Sequence, residues 1–151
     1  MTDAQFDPGG FFHFDLAHGR VQTRAGARVL LLDSNVLAPL IVTAVQSGDL
    51  TAIRTLGSQL GSIIVQSLPA PATELPPQQV IAYAGSVMSL YGWGALKLEQ
   101  WGDALVLVVE GLPALDVDNL AVAALLGGIF SALGSLEVAC VPVGQSNKYV
   151  V

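Results

Sequence analysis

The spacing of apolar positions changes along the chain, and each change marks an element. Leu50, Ile53, Leu56, Leu60 and Ile64 recur every three or four residues, which places them on one face of a helix ending near Ser67. Gly57 and Gly61 stand four apart on a neighbouring face, a spacing that allows another helix close approach. A shorter helix, Val36 to Gln46, comes first; Asp33-Ser34-Asn35 offers its N-caps, and Ser47-Gly48-Asp49 ends it and caps the next. Leu68 to Pro77 then carries proline at four of ten positions, which excludes a helix interior and predicts an extended connector. A third helix starts at the Pro-Pro pair, covers about Gln78 to Tyr91, and stops at Gly92, where glycine can take the left-handed conformation.

Beyond Gly92 the period becomes two. Ala95 to Trp101 alternates, with Leu96 and Leu98 against Lys97 and Glu99, and Trp101-Gly102-Asp103 has the residues of a tight hairpin. The second arm, Ala104 to Glu110, is apolar at nearly every position, as expected of a central strand covered on both faces. An apolar helix, Asn119 to Leu133, and a strand pair ending at Val151 complete the pattern. Helix, hairpin, helix, hairpin predicts an α/β (α+β) fold with an antiparallel sheet and packed helices.

The front of the chain reads differently. Residues 1–19 form a turn-rich, acidic arm that carries Phe6, Phe11, Phe12 and Phe14. Burying each phenylalanine is worth about 1.5 to 3 kcal/mol, so the arm is expected to pack on a surface, a neighbouring subunit being one candidate. Arg20 to Thr23 and Arg28 to Leu32 then read as a hairpin, followed by the helix pair. The expected organisation is an arm over 1–19 and a single domain over 20–151, with the connector at 68–77.

Composition adds a partner. The chain of 151 residues is 52% hydrophobic and 12% charged, about half the usual charged share of roughly 25%. So few charges leave apolar surface uncovered, and self-association, as a dimer or higher homo-oligomer, is the expected outcome. A net charge of −6 with six scattered basic residues argues against nucleic acid. The single cysteine, Cys140, excludes an internal disulfide and a multi-cysteine zinc cage and suits a reducing, cytoplasmic setting. Met1 to Asp15 lacks the basic start of a secretory signal. The uncharged window Asn119 to Leu136 has borderline length for a membrane span but is interrupted by Gly127-Gly128 and ended by Gly134-Ser135, so a buried helix is expected.

The run Leu125 to Gly134, then Glu137-Val138-Ala139-Cys140, Gly144 and Lys148-Tyr149-Val150-Val151, resembles the C-terminal signature of the 4-vinyl reductase domain, and Gly92-x-Gly94 with Gly111-Leu112-Pro113 fits the same pattern. The resemblance spans about residues 78 to 151. Gly19-Arg20-Val21 and Arg28 to Leu32, with the helices after them, resemble the sensor domains of bacterial regulators that detect aromatic hydrocarbons, which contain such a domain; TRAPP tethering subunits share its general fold. Zinc-binding members hold their metal with several cysteines and an acidic residue. Here Lys148 stands at the position of the second cysteine, and the metal is not carried over. Pro69, Pro71, Gly92-Trp93-Gly94-Ala95-Leu96-Lys97-Leu98-Glu99 and Glu110-Gly111-Leu112-Pro113 are also similar to the D subunit of bacterial cellulose synthase, a non-enzymatic ring protein that guides nascent glucan chains.

No catalytic constellation is visible. Gly-x-Ser-x-Gly is absent, and the two histidines, His13 and His18, both lie in the arm. Asp116 and Asp118 precede a helix, where Asp118 is expected to cap it. Gly92-x-Gly94 stands at a helix-to-strand turn, the wrong order for cradling phosphate. Cys140 is expected to be a small buried residue in a strand. An apolar interior lined by Tyr83, Met88, Trp93 and Phe130 is the candidate ligand site. The expected function is a non-catalytic, oligomeric binding domain that recognises a small hydrophobic ligand or a protein partner and uses no cofactor. A structural ring or scaffold protein akin to the cellulose synthase D subunit is the alternative.

Overall fold

A computed structural model describes residues 8–115, 118–134, 137–144 and 146–151. Phe6, Asp116 and Ser135, which entered the expectations above, lie outside the described residues. The fold is mixed α and β, with four α-helices and two antiparallel sheets among the described residues.

The first sheet contains β1 (Phe12–Asp15), β2 (Arg20–Thr23) and β3 (Arg28–Val29), in that order. Part of the expected arm is therefore a strand, paired with β2 from Phe12 opposite Thr23 to Asp15 opposite Arg20. Phe11 and Phe12 pack within the same chain: Phe11 is 5% exposed, and both meet the Tyr91 ring edge-on, with centroids 6.1 and 5.3 Å away, while Phe14 stays 54% exposed. The third strand is shorter than expected. Leu30, Leu31 and Leu32 leave the sheet after two paired residues and stand 77, 68 and 64% exposed.

Helices α1 (Ser34–Ser47) and α2 (Thr51–Ser67) follow. The Asp33 carboxylate caps α1, accepting a bond from the Asn35 amide at 2.8 Å; the cap position of α2 is Leu50, without a side-chain cap bond, and Asp49 just before it accepts from the Thr51 amide at 3.0 Å. On α2, Ile53, Leu60 and Ile64 are buried, whereas Leu56 turns outward at 43% exposure. The reason is that the buried face also includes Gly57 and Gly61, which the long helix α4 (Leu120–Gly134) approaches. A Cβ on Gly57 would run into the Leu125 carbonyl, one on Gly61 would lie 2.6 Å from the Ile129 carbonyl oxygen, and one on Gly128 would meet the Arg54 carbonyl. Glycines on both helices thus set one backbone against the other.

Helix α3 (Pro77–Leu90) ends as its residues imply: Gly92 has φ +81°, and the Trp93 amide reaches back to the Met88 carbonyl at 2.9 Å. It lies against β4 (Ala95–Trp101), where Gly85 lets Leu96 come close. β4 and β5 (Ala104–Glu110) form the expected hairpin, in full register across a turn at Gly102 and Asp103. β6 (Val141–Pro142) and β7 (Lys148–Val150) complete a sheet of order β4-β5-β7-β6. β5 is interior, and Val106, Leu107, Val108 and Val109 are all buried. The core lies between the inner face of this sheet and the helices, with Ile64, Val87, Met88, Leu126, Ile129 and Tyr149 excluded from solvent.

Candidate functional site

The proline-rich connector shapes the larger cavity. Prolines 69, 71, 76 and 77 prevent α2 from running into α3, and the chain crosses between them through a single 3-10 turn, Ala72–Glu74, closed by the Glu74 amide on the Pro71 carbonyl at 2.9 Å. It stands away from the C-terminal end of α4 and leaves a cavity of about 580 Å³. Val65, Leu75, Val80, Phe130, Leu133 and Val138 contribute to its wall; no charged side chain lines it among the described residues, and Thr73 brings a hydroxyl. That volume lies within the roughly 300 to 1,000 Å³ typical of small-molecule sites.

A smaller cavity of about 280 Å³ opens between the first sheet and the ends of α2 and α3, with Phe11, Ile63 and Tyr83 on its apolar side and Thr23, Arg24 and Gln66 on its polar side. The Tyr83 hydroxyl donates to the Ser67 carbonyl at 2.6 Å, which fixes the ring at this wall.

The four candidate ligand residues do not share one chamber. Phe130 lines the larger cavity and Tyr83 the smaller. Met88 is fully excluded from solvent within the core, and Trp93 packs on that core from its edge. The residues that shape the larger cavity were hidden by their ordinariness, since Val65, Leu75, Leu133 and Val138 are common aliphatic residues whose proximity arises only when the connector, α2, α3 and α4 converge. The proline run was the one available signal, because a chain that cannot continue a helix must bow away from it.

Arg54 also has a role its position in the sequence did not suggest. Its guanidinium passes over α4 at Gly127, where an added Cβ would lie 2.6 Å from Nη1, and donates to the Val138 carbonyl at 2.8 Å and the Ser131 hydroxyl at 3.0 Å. The same hydroxyl accepts from the Val138 amide at 2.8 Å, so one arginine and one serine tie residue 138 to α4. Cys140 follows in this segment, just before β6 rather than inside a strand. Burial pushes its thiol up to about 11, and nearby Arg54 pulls weakly in the other direction. A thiol so protonated at neutral pH is a poor nucleophile.

The polar residues of the front half are engaged locally. The Asp15 carboxylate accepts from the His18 amide and lies 2.9 Å from His18 Nδ1, and both histidines are exposed. Asp118 is exposed, two residues before the start of α4. Among the described residues, no three His, Cys, Asp or Glu side chains gather in a way that could hold a metal ion, and no helix is long and apolar enough to cross a membrane.

Compared with known protein families and with curated proteins, the chain matches none.

Proposed function

We infer that this protein is a non-catalytic, oligomeric binding domain whose larger cavity receives a small, uncharged hydrophobic molecule. The observation that carries the reading is the 580 Å³ chamber beside Phe130, with no charged side chain among its described lining residues. An apolar lining of this kind favours a ligand that brings no charge, because a charge desolvated there without a partner is costly. The Thr73 hydroxyl offers one polar anchor. The resemblance to aromatic-sensing domains points the same way.

The test is native mass spectrometry of the untagged protein, followed by titration with the uncharged fluorescent probe N-phenyl-1-naphthylamine. A dimer that carries an additional few hundred daltons, and a probe affinity about tenfold weaker in Phe130→Ala, are the expected results. Unchanged affinity in that variant removes the chamber from the reading.

A structural scaffold, akin to the cellulose synthase D subunit, is the second reading, and one observation favours it. Leu30, Leu31, Leu32, Val36 and Leu40, from the segment before α1 and its first turns, are each more than half exposed. Contiguous apolar surface of this kind usually marks an interaction site. A ligand-free assembly of eight or more subunits in the same spectrum would replace the first reading with this one.

A further inference from the structure

We propose that the free edge of β4 is a self-pairing surface, on which a second copy of this chain adds its own β4 antiparallel, with the twofold axis at Leu98. This deepens the oligomeric part of the proposed function and is independent of the cavity.

The edge follows from the sheet order, which puts β4 outermost with seven residues in register with β5. The two-residue turn makes Trp101 and Ala104 the closing pair, so Trp101, Glu99, Lys97 and Ala95 exchange backbone bonds with β5. The far side of β5 agrees, since there the Val109 amide donates to the Asn147 carbonyl and the Leu105 carbonyl accepts from the Val151 amide. The amides and carbonyls of Leu96, Leu98 and Gln100 therefore face outward. Among the described residues none of them has a partner beyond the strand.

Charged residues on an edge strand ordinarily discourage pairing. Here their order makes them complementary. With Leu98 opposite its own copy, Leu96 lies opposite Gln100, and Lys97 of each copy lies opposite Glu99 of the other. Leu98 and its counterpart then exchange backbone bonds, and the Lys97 and Glu99 pairs fall at the non-hydrogen-bonded positions, where side chains approach most closely. Sliding the axis by one residue sets lysine against lysine or glutamate against glutamate. The charges thus select one register, and a twofold interface needs a self-complementary patch of this kind.

Helix α3 stands close to one end of the edge, where a Cβ on Gly85 would lie 3.3 Å from the Leu96 carbonyl oxygen. Lys97 is held by Glu110 at 2.7 Å and Glu99 by Lys148 at 2.9 Å within the chain, so both side chains already lie along the outer face rather than over the edge. On the other face Leu98 is 37% exposed although it points toward the core side, as expected of a residue awaiting an apolar neighbour. Helix α3, which covers β4, has no charged residue from Pro77 to Leu90.

The test exchanges the charges. Lys97→Glu alone and Glu99→Lys alone each set like charges opposite one another, and each is expected to weaken β4-mediated association at least tenfold in analytical ultracentrifugation. Mixing the two variants, one isotopically heavy, restores complementary pairs, and native mass spectrometry should show the mixed dimer in excess over either homodimer. Damage within a single chain would not be repaired by mixing. In the wild type, the amides of Leu96, Leu98 and Gln100 should gain hydrogen-exchange protection as protein concentration rises. An assembly unchanged by either substitution, a mixture that forms no mixed dimer, or edge amides that gain protection only when a different protein is added would overturn the proposal. Ligand retention in the same spectra is read separately, so loss of this interface leaves the cavity reading standing.

Discussion

Gly61→Ala tests the packing of α2 on α4 directly. In an ordinary helix interior, alanine is favoured over glycine by about 1 kcal/mol because the glycine backbone loses more freedom on folding. At Gly61 that gain meets rigid atoms: the new methyl carbon would lie 2.6 Å from the Ile129 carbonyl oxygen, 2.7 Å from Ala132 Cβ and 3.1 Å from Ile129 Cα. Non-bonded carbon atoms prefer about 3.5 to 4.0 Å, so α4 must retreat by several tenths of an ångström to about 1 Å. Such overpacking typically costs about 1 to 3 kcal/mol, and the retreat also loosens the neighbouring contact at Gly57 and Gly128. A net destabilisation of about 1 kcal/mol is expected after the propensity gain, which lowers Tm by about 2 to 4 °C in a chain of this size. The assay is thermal unfolding followed by circular dichroism, with urea titration as a second measure. Gly134→Ala, at the open end of α4 where a Cβ would meet nothing within 4 Å, is the control and should be neutral or slightly stabilising. A Gly61→Ala protein as stable as that control would refute the close approach.

Met88→Ala should cost about 2 to 5 kcal/mol in urea unfolding with little change in probe affinity per folded molecule, because Met88 is a solvent-excluded core residue outside both cavities. Tyr91→Phe should leave stability unchanged or raise it by about 1 kcal/mol, since the buried Tyr91 hydroxyl has no hydrogen-bond partner among the described residues; a clear loss in Tm would reveal a partner. Cys140 supplies a pH dependence. Its folded thiol titrates at about 11 against an ordinary value of 9.0, so the neutral form is favoured in the fold; its contribution is complete below pH 9 and is lost as pH rises toward 11. The urea midpoint of the wild type should therefore fall faster over that window than that of Cys140→Ala, and parallel curves would contradict the burial of the thiol. Arg54→Met should speed hydrogen exchange at Val138, whose carbonyl and amide are tied down by Arg54 and Ser131. Unchanged protection there would show that the arginine does not hold the segment.

The elements were largely legible because their signals are local. The N-cap at Asp33, the proline stop after Ser67, the glycine turn at Gly92 and the hairpin around Gly102 each depend on backbone preferences within a few residues, and each formed as its residues imply. The run of apolar residues in β5 also identified an interior strand, since only cover on both faces removes the need for alternation. Local signals misled where a distant partner decided the outcome. Leu30 to Leu32 looked like the continuation of a strand, yet the chain leaves β2 after Val29 although β2 itself runs on to Arg20. Phe12 and Phe14 looked like part of an arm, and pairing with β2 made them a strand.

The candidate site shows the same division. The sequence by itself determined that the chain would have an apolar interior, four helices, a central strand and a non-helical break after Ser67, because those follow from periodicity, proline and glycine acting over short distances; the 3-10 turn at Ala72–Glu74 within the expected extended connector was not among them. Only the tertiary structure decided that Tyr83 and Phe130 face different cavities, that Met88 belongs to the core and that Arg54 reaches across α4 to residue 138. Such facts depend on the angle and separation at which helices meet. These are set by close contacts between residues far apart in the chain, such as Gly61 against Ile129, and no local pattern encodes them.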